Sequence, residues 1–418
     1  MQRTRLLAGV LALPLAVAAA IPGIAGTAVA SKDLSGTAVM GAGDGGVSGF
    51  YRWNDAIPDE PGRMLRTEPL PAELQITGAT EQMRILYSST SGIGSEPTIV
   101  SGMLFIPEGE PPESGWPLLA WAHGTTGVAD VCAPSWTGPS AAMARYLNGW
   151  LDAGFVVVAT DYEGLGTPGR HPYLVKRAEA YSVLDSIRAA LNARDDIAED
   201  VVIAGQSQGG GAAFASAGLA PEYAPELAIQ GTIATGPPYL TADMPTASAV
   251  APEQVDPGLA YVFYAALVAR GLNPELQASH LFSQQALPVF ERAATTCLGD
   301  LMRMVREAEL SPINALQPDA ITKMAAILLP HYVYPTLTLD QPVFVATGTD
   351  DRDVDPRGQL MLVRDACAAG TLVEAHLYAG EDHTGAWLAS QGEALAFAQA
   401  VRRDAAVSRE CAPQPSSP

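Results

Sequence analysis

The chain has 418 residues, 48% of them hydrophobic, with 45 acidic against 24 basic side chains for a formal net charge of −21. That length is ample for a large core, and so acidic a surface repels nucleic acid and anionic membrane, which excludes binders of either. No internal repeat, low-complexity domain, metal-ligand spacing or phosphate-binding loop occurs, so no metal and no organic cofactor is expected.

In chain order, residues 1–30 read as an export signal. Arg3 and Arg5 precede an uncharged apolar stretch from Leu6 to about Ile24, and Ala28-Val29-Ala30 has the small residues of a cleavage site. Pro14, Pro22 and the missing polar flank argue against a lasting anchor, and no later stretch reaches spanning length. A mature chain is expected from near Ser31, secreted or periplasmic. Losing Arg3 and Arg5 and no acid takes the charge from −21 to −23. Four cysteines in an exported chain read as two disulfides, with three pairings open.

Met83 to Tyr87 and Ile99 to Ile106 read as early strands, followed by Pro117 to Ala122 and Phe155 to Ala159. Tyr181 to Leu191 has helical spacing, and Val201 to Ala204 and Ile229 to Ala234 are further strands. Apolar strands alternating with helices predict an α/β fold with a mostly parallel sheet covered on both faces. Between Pro237-Pro238 and Pro342 the pattern changes. Gly258 to Arg270, Leu287 to Thr295 and Leu298 to Arg306 have helical apolar spacing, punctuated by prolines at 274, 288, 312 and 318. About a hundred residues without strand signal predict a helical cap (lid). Its apolar residues, among them Phe263, Tyr264, Phe282, Met302 and Met304, read either as ordinary core or, for some of them, as the lining of an acyl pocket.

Ser207 carries the chemistry. It is the centre of Gly205-Gln206-Ser207-Gln208-Gly209, directly after the strand Val201 to Ala204 and directly before a small-residue helix from Gly210 to Leu219. A nucleophile elbow needs that layout, with a strained turn and glycines on either side that let strand and helix approach. Six histidines are present, and the base of such a hydrolase follows both serine and acid. His123 and His171 precede Ser207, His280 and His331 precede any good acid candidate, and His376 lies inside the strand Thr371 to Tyr378. His383 remains, in the loop Ala379 to Gly385. For the acid, the strand Pro342 to Thr347 runs into Gly348-Thr349-Asp350-Asp351-Arg352-Asp353-Val354. Only Asp351 fits the hydrolase pattern G-x-x-D-x-x-V, with Asp350 the alternative.

The oxyanion donors are expected at the amide of Gln208, at the helix N-terminus, and in the loop His123-Gly124-Thr125-Thr126-Gly127, with Thr125 first and Gly124 second. His123 itself reads as a structural tie. Each triad member also has an ordinary reading as a turn serine, a loop histidine or a solvated acid. Taken together those readings need three coincidences of order, spacing and position.

Asp161-Tyr162-Glu163-Gly164-Leu165-Gly166, Cys132-Ala133-Pro134-Ser135, Phe50-Tyr51 followed by Pro61-Gly62 and Leu65-Arg66, and the string from Gly205 to Gly210 together resemble the secretory lipase family, from about Phe50 to Cys411. The resemblance implies an α/β-hydrolase core with an inserted cap, lipase or carboxylesterase activity on triacylglycerols or other acyl esters, and no cofactor. It also implies the pairings Cys132 with Cys297 and Cys367 with Cys411. Gln206 and Gln208 beside the serine, and the HGTTG loop, depart from the form that the family's yeast members have, so substrate preference does not transfer. The expected organisation is a signal at 1–30, an N-terminal extension at 31–80, core at 81–239, cap at 240–338, core at 339–411 and a disordered tail at 412–418. The expected partner is a small-molecule or lipid ester, met at a lipid–water interface where it is insoluble, with the protein a monomer. Competing readings are an acetyl-xylan or polyester esterase, with no R-G-Q-G string to favour the former, and a prolyl peptidase, for which Glu163 is a weak amine anchor.

Overall fold

The computed structural model describes residues 44–241 and 251–416. The export signal read at 1–30 lies outside the described residues. Strands β1 (Met64–Pro69), β2 (Ala79–Thr90), β3 (Pro97–Pro107), β4 (Trp116–Ala122), β5 (Val156–Thr160), β6 (Ile197–Gln206), β7 (Ala228–Thr235), β8 (Val343–Gly348), β9 (Val373–Tyr378) and β10 (Pro415–Ser416) form one sheet. Its order is β1-β2-β3-β5-β4-β6-β7-β8-β9-β10. The pairings from β1 to β5 are antiparallel and all later ones parallel.

The central strands are continuous apolar runs because helices cover both faces. In order these are α1 (Pro134–Thr137), α2 (Ala141–Asp152), α3 (Lys176–Ala193), α4 (Gln208–Tyr223), the cap helices α5 (Leu259–Leu272), α6 (Leu287–Ala293), α7 (Leu298–Glu307), α8 (Pro312–Ala315) and α9 (Ala320–Tyr332), then α10 (Pro356–Ala368), α11 (His383–Ala389) and α12 (Gln391–Val401). The two-residue period of β4 sorts its side chains between layers. Leu118, Ala120 and Ala122 join Val183, Leu184 and Ile187 of α3 and Ala212 of α4. Leu119 and Trp121 turn the other way, to Tyr146 and Trp150 of α2 and Trp387 of α11. A mostly parallel sheet covered on both faces, with a helical insertion after β7, is the α/β-hydrolase architecture.

The cap has its own core. Phe263, Phe282 and Phe290 pack ring on ring with centroids 4.6 to 5.9 Å apart. Phe263, Tyr264 and Phe282 are thus buried inside the cap, the core alternative of the two that the sequence left open; so small a helical unit needs its largest side chains at its centre. Met302 and Met304 pack at the margin of the same cluster. Tyr173, Val175 and Ala178 of the body share it, so the cap is seated on the beginning of α3.

Both ends of the sheet differ from the sequence reading. The segment read as an extension supplies β1, which pairs along the outer edge of β2. The tail beyond Cys411, expected to be disordered, contributes β10 beside Leu377 and Tyr378. The cause is the disulfide Cys367–Cys411, which ties the tail to α10 next to the edge of β9. The second disulfide joins Cys132, before α1, to Cys297 at the start of α7. Both pairings are those the family resemblance implied. Among the described residues no helix is long and apolar enough to cross a membrane.

Replacing Cys367 and Cys411 together by serine should lower the unfolding free energy by about 4 kcal/mol, the chain-entropy value for a loop of 44 residues. Urea denaturation of the double variant against wild type measures it.

Candidate active site

β6 ends at Gln206, α4 begins at Gln208, and Ser207 joins them with φ 60° and ψ −122°. A side chain in that region is strained by roughly 1–3 kcal/mol and persists only where its surroundings hold it. The Ser207 amide donates to the Thr235 carbonyl of β7 at 2.8 Å, and the Gly211 amide donates to the Ser207 carbonyl at 3.1 Å. The turn also demands close backbone approach. A methyl group on Gly205 would collide with the Gly209 carbonyl, and one on Gly209 with the Ala122 carbonyl at the end of β4.

His383 is the first residue of α11, whose N-cap Asp382 accepts from the Thr384 and Gly385 amides at 3.1 and 2.7 Å. The imidazole is buried, with Nδ1 2.7 Å from Asp351 Oδ2. Asp351 is held firmly: Oδ1 accepts from the Asp353 and Val354 amides, both at 2.9 Å, and Oδ2 also accepts from Gln359 Nε2 at 2.8 Å. Asp350 instead accepts from Thr349 Oγ1 at 3.0 Å at the surface. The structure therefore brings Asp351 and not Asp350 to the histidine. With Nδ1–H committed to a carboxylate, Nε2 is the free acceptor, and it is buried with no hydrogen-bond partner among the described residues. Gly236, next after the Thr235 that holds Ser207, lies directly against the His383 ring.

The loop after β4 reaches the same place. A methyl on Gly124 would stand 3.4 Å from Ser207 Cβ. Thr125 Oγ1 is hydrogen-bonded to Tyr173 Oη at 3.0 Å. His123 is a tie, as expected, with Nδ1 2.6 Å from the Gly124 carbonyl and its own carbonyl accepting from Tyr162 Oη at 2.8 Å.

Behind the elbow lies a buried polar group that sequence reasoning missed. Gln208 Nε2 is 3.1 Å from His171 Nε2, and His171 Nδ1 is 2.8 Å from the Glu163 carbonyl. Burial pushes the His171 pKa down to about 4, so the ring is neutral near pH 7. Nδ1–H then donates to the carbonyl and Nε2 accepts from the Gln208 amide. Glu179 pairs with Lys176 at 3.0 Å, both almost fully buried. Burial raises the Glu179 pKa, against the pull of Lys176 and of the Gln208 side chain. Gln359, eight residues past Asp351, is a further partner that no residue pattern marks. Among the described residues no group of three or more His, Cys, Asp or Glu side chains could hold a metal ion.

Comparison with known proteins agrees with this fold. The secretory lipase family model matches residues 141–404. A secreted triacylglycerol lipase of Malassezia globosa is 29% identical over 203 residues, 45% of this chain and 43% of that protein. A probable inactive lipase of Mycobacterium tuberculosis is 29% identical over 193 residues, 42% of each. The chain thus spans less than half the length of these curated relatives. The crystal structure of Candida antarctica lipase A in its closed state is similar over 89% of both chains, with a TM-score of 0.71 at 17% identity.

Asp351→Asn should cut turnover by about 10⁴-fold, because an amide at that position favours the wrong imidazole tautomer. Asp350→Asn should leave it within severalfold of wild type. Steady-state rates of both variants on one ester decide the assignment, and the reverse ranking would overturn it.

Proposed function

The chain belongs to the secretory lipase family, and on that premise we propose that it is an exported carboxylic ester hydrolase working through Ser207, His383 and Asp351. The observation that carries the proposal is the 2.7 Å contact between His383 Nδ1 and Asp351 Oδ2, with the His383 ring against Gly236, the residue after the Thr235 that holds Ser207 in its strained turn. His383 Nε2 takes the Ser207 proton as Oγ attacks the ester carbonyl, and Asp351 fixes the tautomer and stabilises the imidazolium. The amides of Gln208 and Thr125, with Gly124 second, hold the oxyanion. The tetrahedral intermediate collapses, His383 protonates the leaving alcohol, and water activated by His383 then releases the acid from the acyl-enzyme. The similarity to a probable inactive lipase makes the intact set of three residues the deciding point, since family membership alone does not carry activity.

The two disulfides support an oxidising compartment. The substrate is an acyl ester, from soluble short-chain esters to triacylglycerol at a lipid–water interface, with a single chain sufficient for the reaction and no part for nucleic acid.

Hydrolysis of p-nitrophenyl acetate, octanoate and palmitate is the direct measurement, with acetylated xylan and a prolyl arylamide as competing substrates. Turnover of the p-nitrophenyl esters is expected, together with a loss of about 10⁶-fold in Ser207→Ala. Cleavage of the xylan or the arylamide alone would replace the lipase reading by one of those, and stoichiometric labelling of Ser207 by a fluorophosphonate would show whether the serine is activated at all.

A further inference from the structure

The loop that would supply the second oxyanion donor has little to hold it from within. Residues Gly124 to Gly127 follow β4 without regular structure, and the Thr125 amide can stabilise an oxyanion only if it is fixed to within a few tenths of an ångström, since such donors work by being aimed in advance. Besides the His123 tie at Gly124, three contacts fasten the loop. The Thr126 carbonyl accepts from the Leu298 amide at the start of α7 at 2.8 Å. Gly127 packs against Cys132, which is bonded to Cys297. These two grip the far end of the loop. The third, between Thr125 Oγ1 and Tyr173 Oη at 3.0 Å, acts on the donor residue itself.

Tyr173 is well placed for that task. It is buried, its amide donates to the His171 carbonyl at 2.9 Å, and its ring meets Tyr264 of α5 edge to face at 5.8 Å. Tyr264 Oη in turn donates to the Thr296 carbonyl at 2.7 Å, one residue before Cys297. The contacts close a circuit from Thr125 through Tyr173, Tyr264 and Thr296 to Cys297 and Cys132, and so back to the loop. Oxyanion loop and cap are thereby held by one set of side chains. Burial raises the Tyr173 pKa far above its ordinary value, so the hydroxyl keeps its proton across the working pH range.

We propose that Tyr173 is a positioning residue for ester hydrolysis: its hydroxyl holds Thr125 at the oxyanion, and the cap, through Tyr264, holds Tyr173. The proposal rests on the reading of Thr125 as an oxyanion donor. It differs from a packing role in what it demands of the hydroxyl, because phenylalanine keeps every ring contact and loses only the bond to Thr125.

Tyr173→Phe, Thr125→Val, the double variant and Thr125→Ser are compared with wild type on p-nitrophenyl acetate, with thermal melting recorded for each. The proposal expects kcat to fall about tenfold or more in Tyr173→Phe, within the loss that a full oxyanion donor causes, while KM stays within about twofold and melting is unchanged. Thr125→Val should lose a similar factor, the double variant no more than the worse single one, and Thr125→Ser should recover most of it, since both single changes cut one bond. Unchanged kcat in Tyr173→Phe, or independent multiplicative losses in the double variant, overturns the positioning role and leaves the hydrolase reading intact. No ester turnover by wild type overturns both.

Discussion

Strand β6 can hand over to helix α4 only because the peptide groups of Gly205 and Gly209 pass closer to their neighbours than any side chain would allow. Gly209 lies against the end of β4, and this approach fixes the distance between the nucleophile turn and the loop that β4 carries beyond Ala122. The Ser207 amide bonded to β7 completes the constraint from the other side. Three parallel strands therefore determine where the serine, the loop from Gly124 to Gly127 and the Gly236 contact with His383 stand, before any catalytic side chain is considered. The strain at Ser207 persists because the sheet over-determines the turn.

Around that frame the protein accepts costs that a purely structural design would avoid. Lys176 and Glu179 are both buried beside the N-terminus of α4, and removing such a pair from water costs several kcal/mol per ion before mutual attraction offsets it. His171, Gln208 and Tyr173 complete a polar wall on one side of the elbow. Replacing it with well-packed hydrophobic residues would suit stability at least as well. Its place next to an amide that must be aimed, on the side where the cap sits, gives it a reason in function instead. Positions that break local rules cluster at working sites and are offset elsewhere in the fold.

Much of this was legible in the sequence because the physics is local. Strands buried on both faces are written as unbroken apolar runs, and the elbow is written as glycines at fixed offsets from Ser207. Asp351 is told from Asp350 by the G-x-x-D-x-x-V pattern, and in the structure its carboxylate accepts the Asp353 and Val354 amides. Other features left no such trace. β1 carries Arg66 and Glu68 on a partly exposed edge, so it lacks the apolar signature of the inner strands. Tyr173 with Thr125, His171 with Gln208 and Gln359 with Asp351 are side-chain pairs across loops and helices, set by the folded chain and not by spacing. Phe263 and Phe282 were visible as large apolar residues, but which surface they cover is decided by how the cap helices pack around them.

The disulfide Cys367–Cys411 has a role that chain entropy does not describe. β9 would otherwise present an open row of peptide groups at the end of a wide sheet, a template for pairing with a second molecule. The tail covers part of that row: the Glu410 amide donates to the Val373 carbonyl at 2.8 Å, and the Ala379 amide donates to the Ser416 carbonyl at 2.8 Å. The disulfide keeps this two-residue strand at hand, together with the bonds of Ser408, Arg409 and Glu410 to β9 and α10. Reduction would free the cover and bare a β edge open to self-association, so the disulfide guards solubility as well as stability.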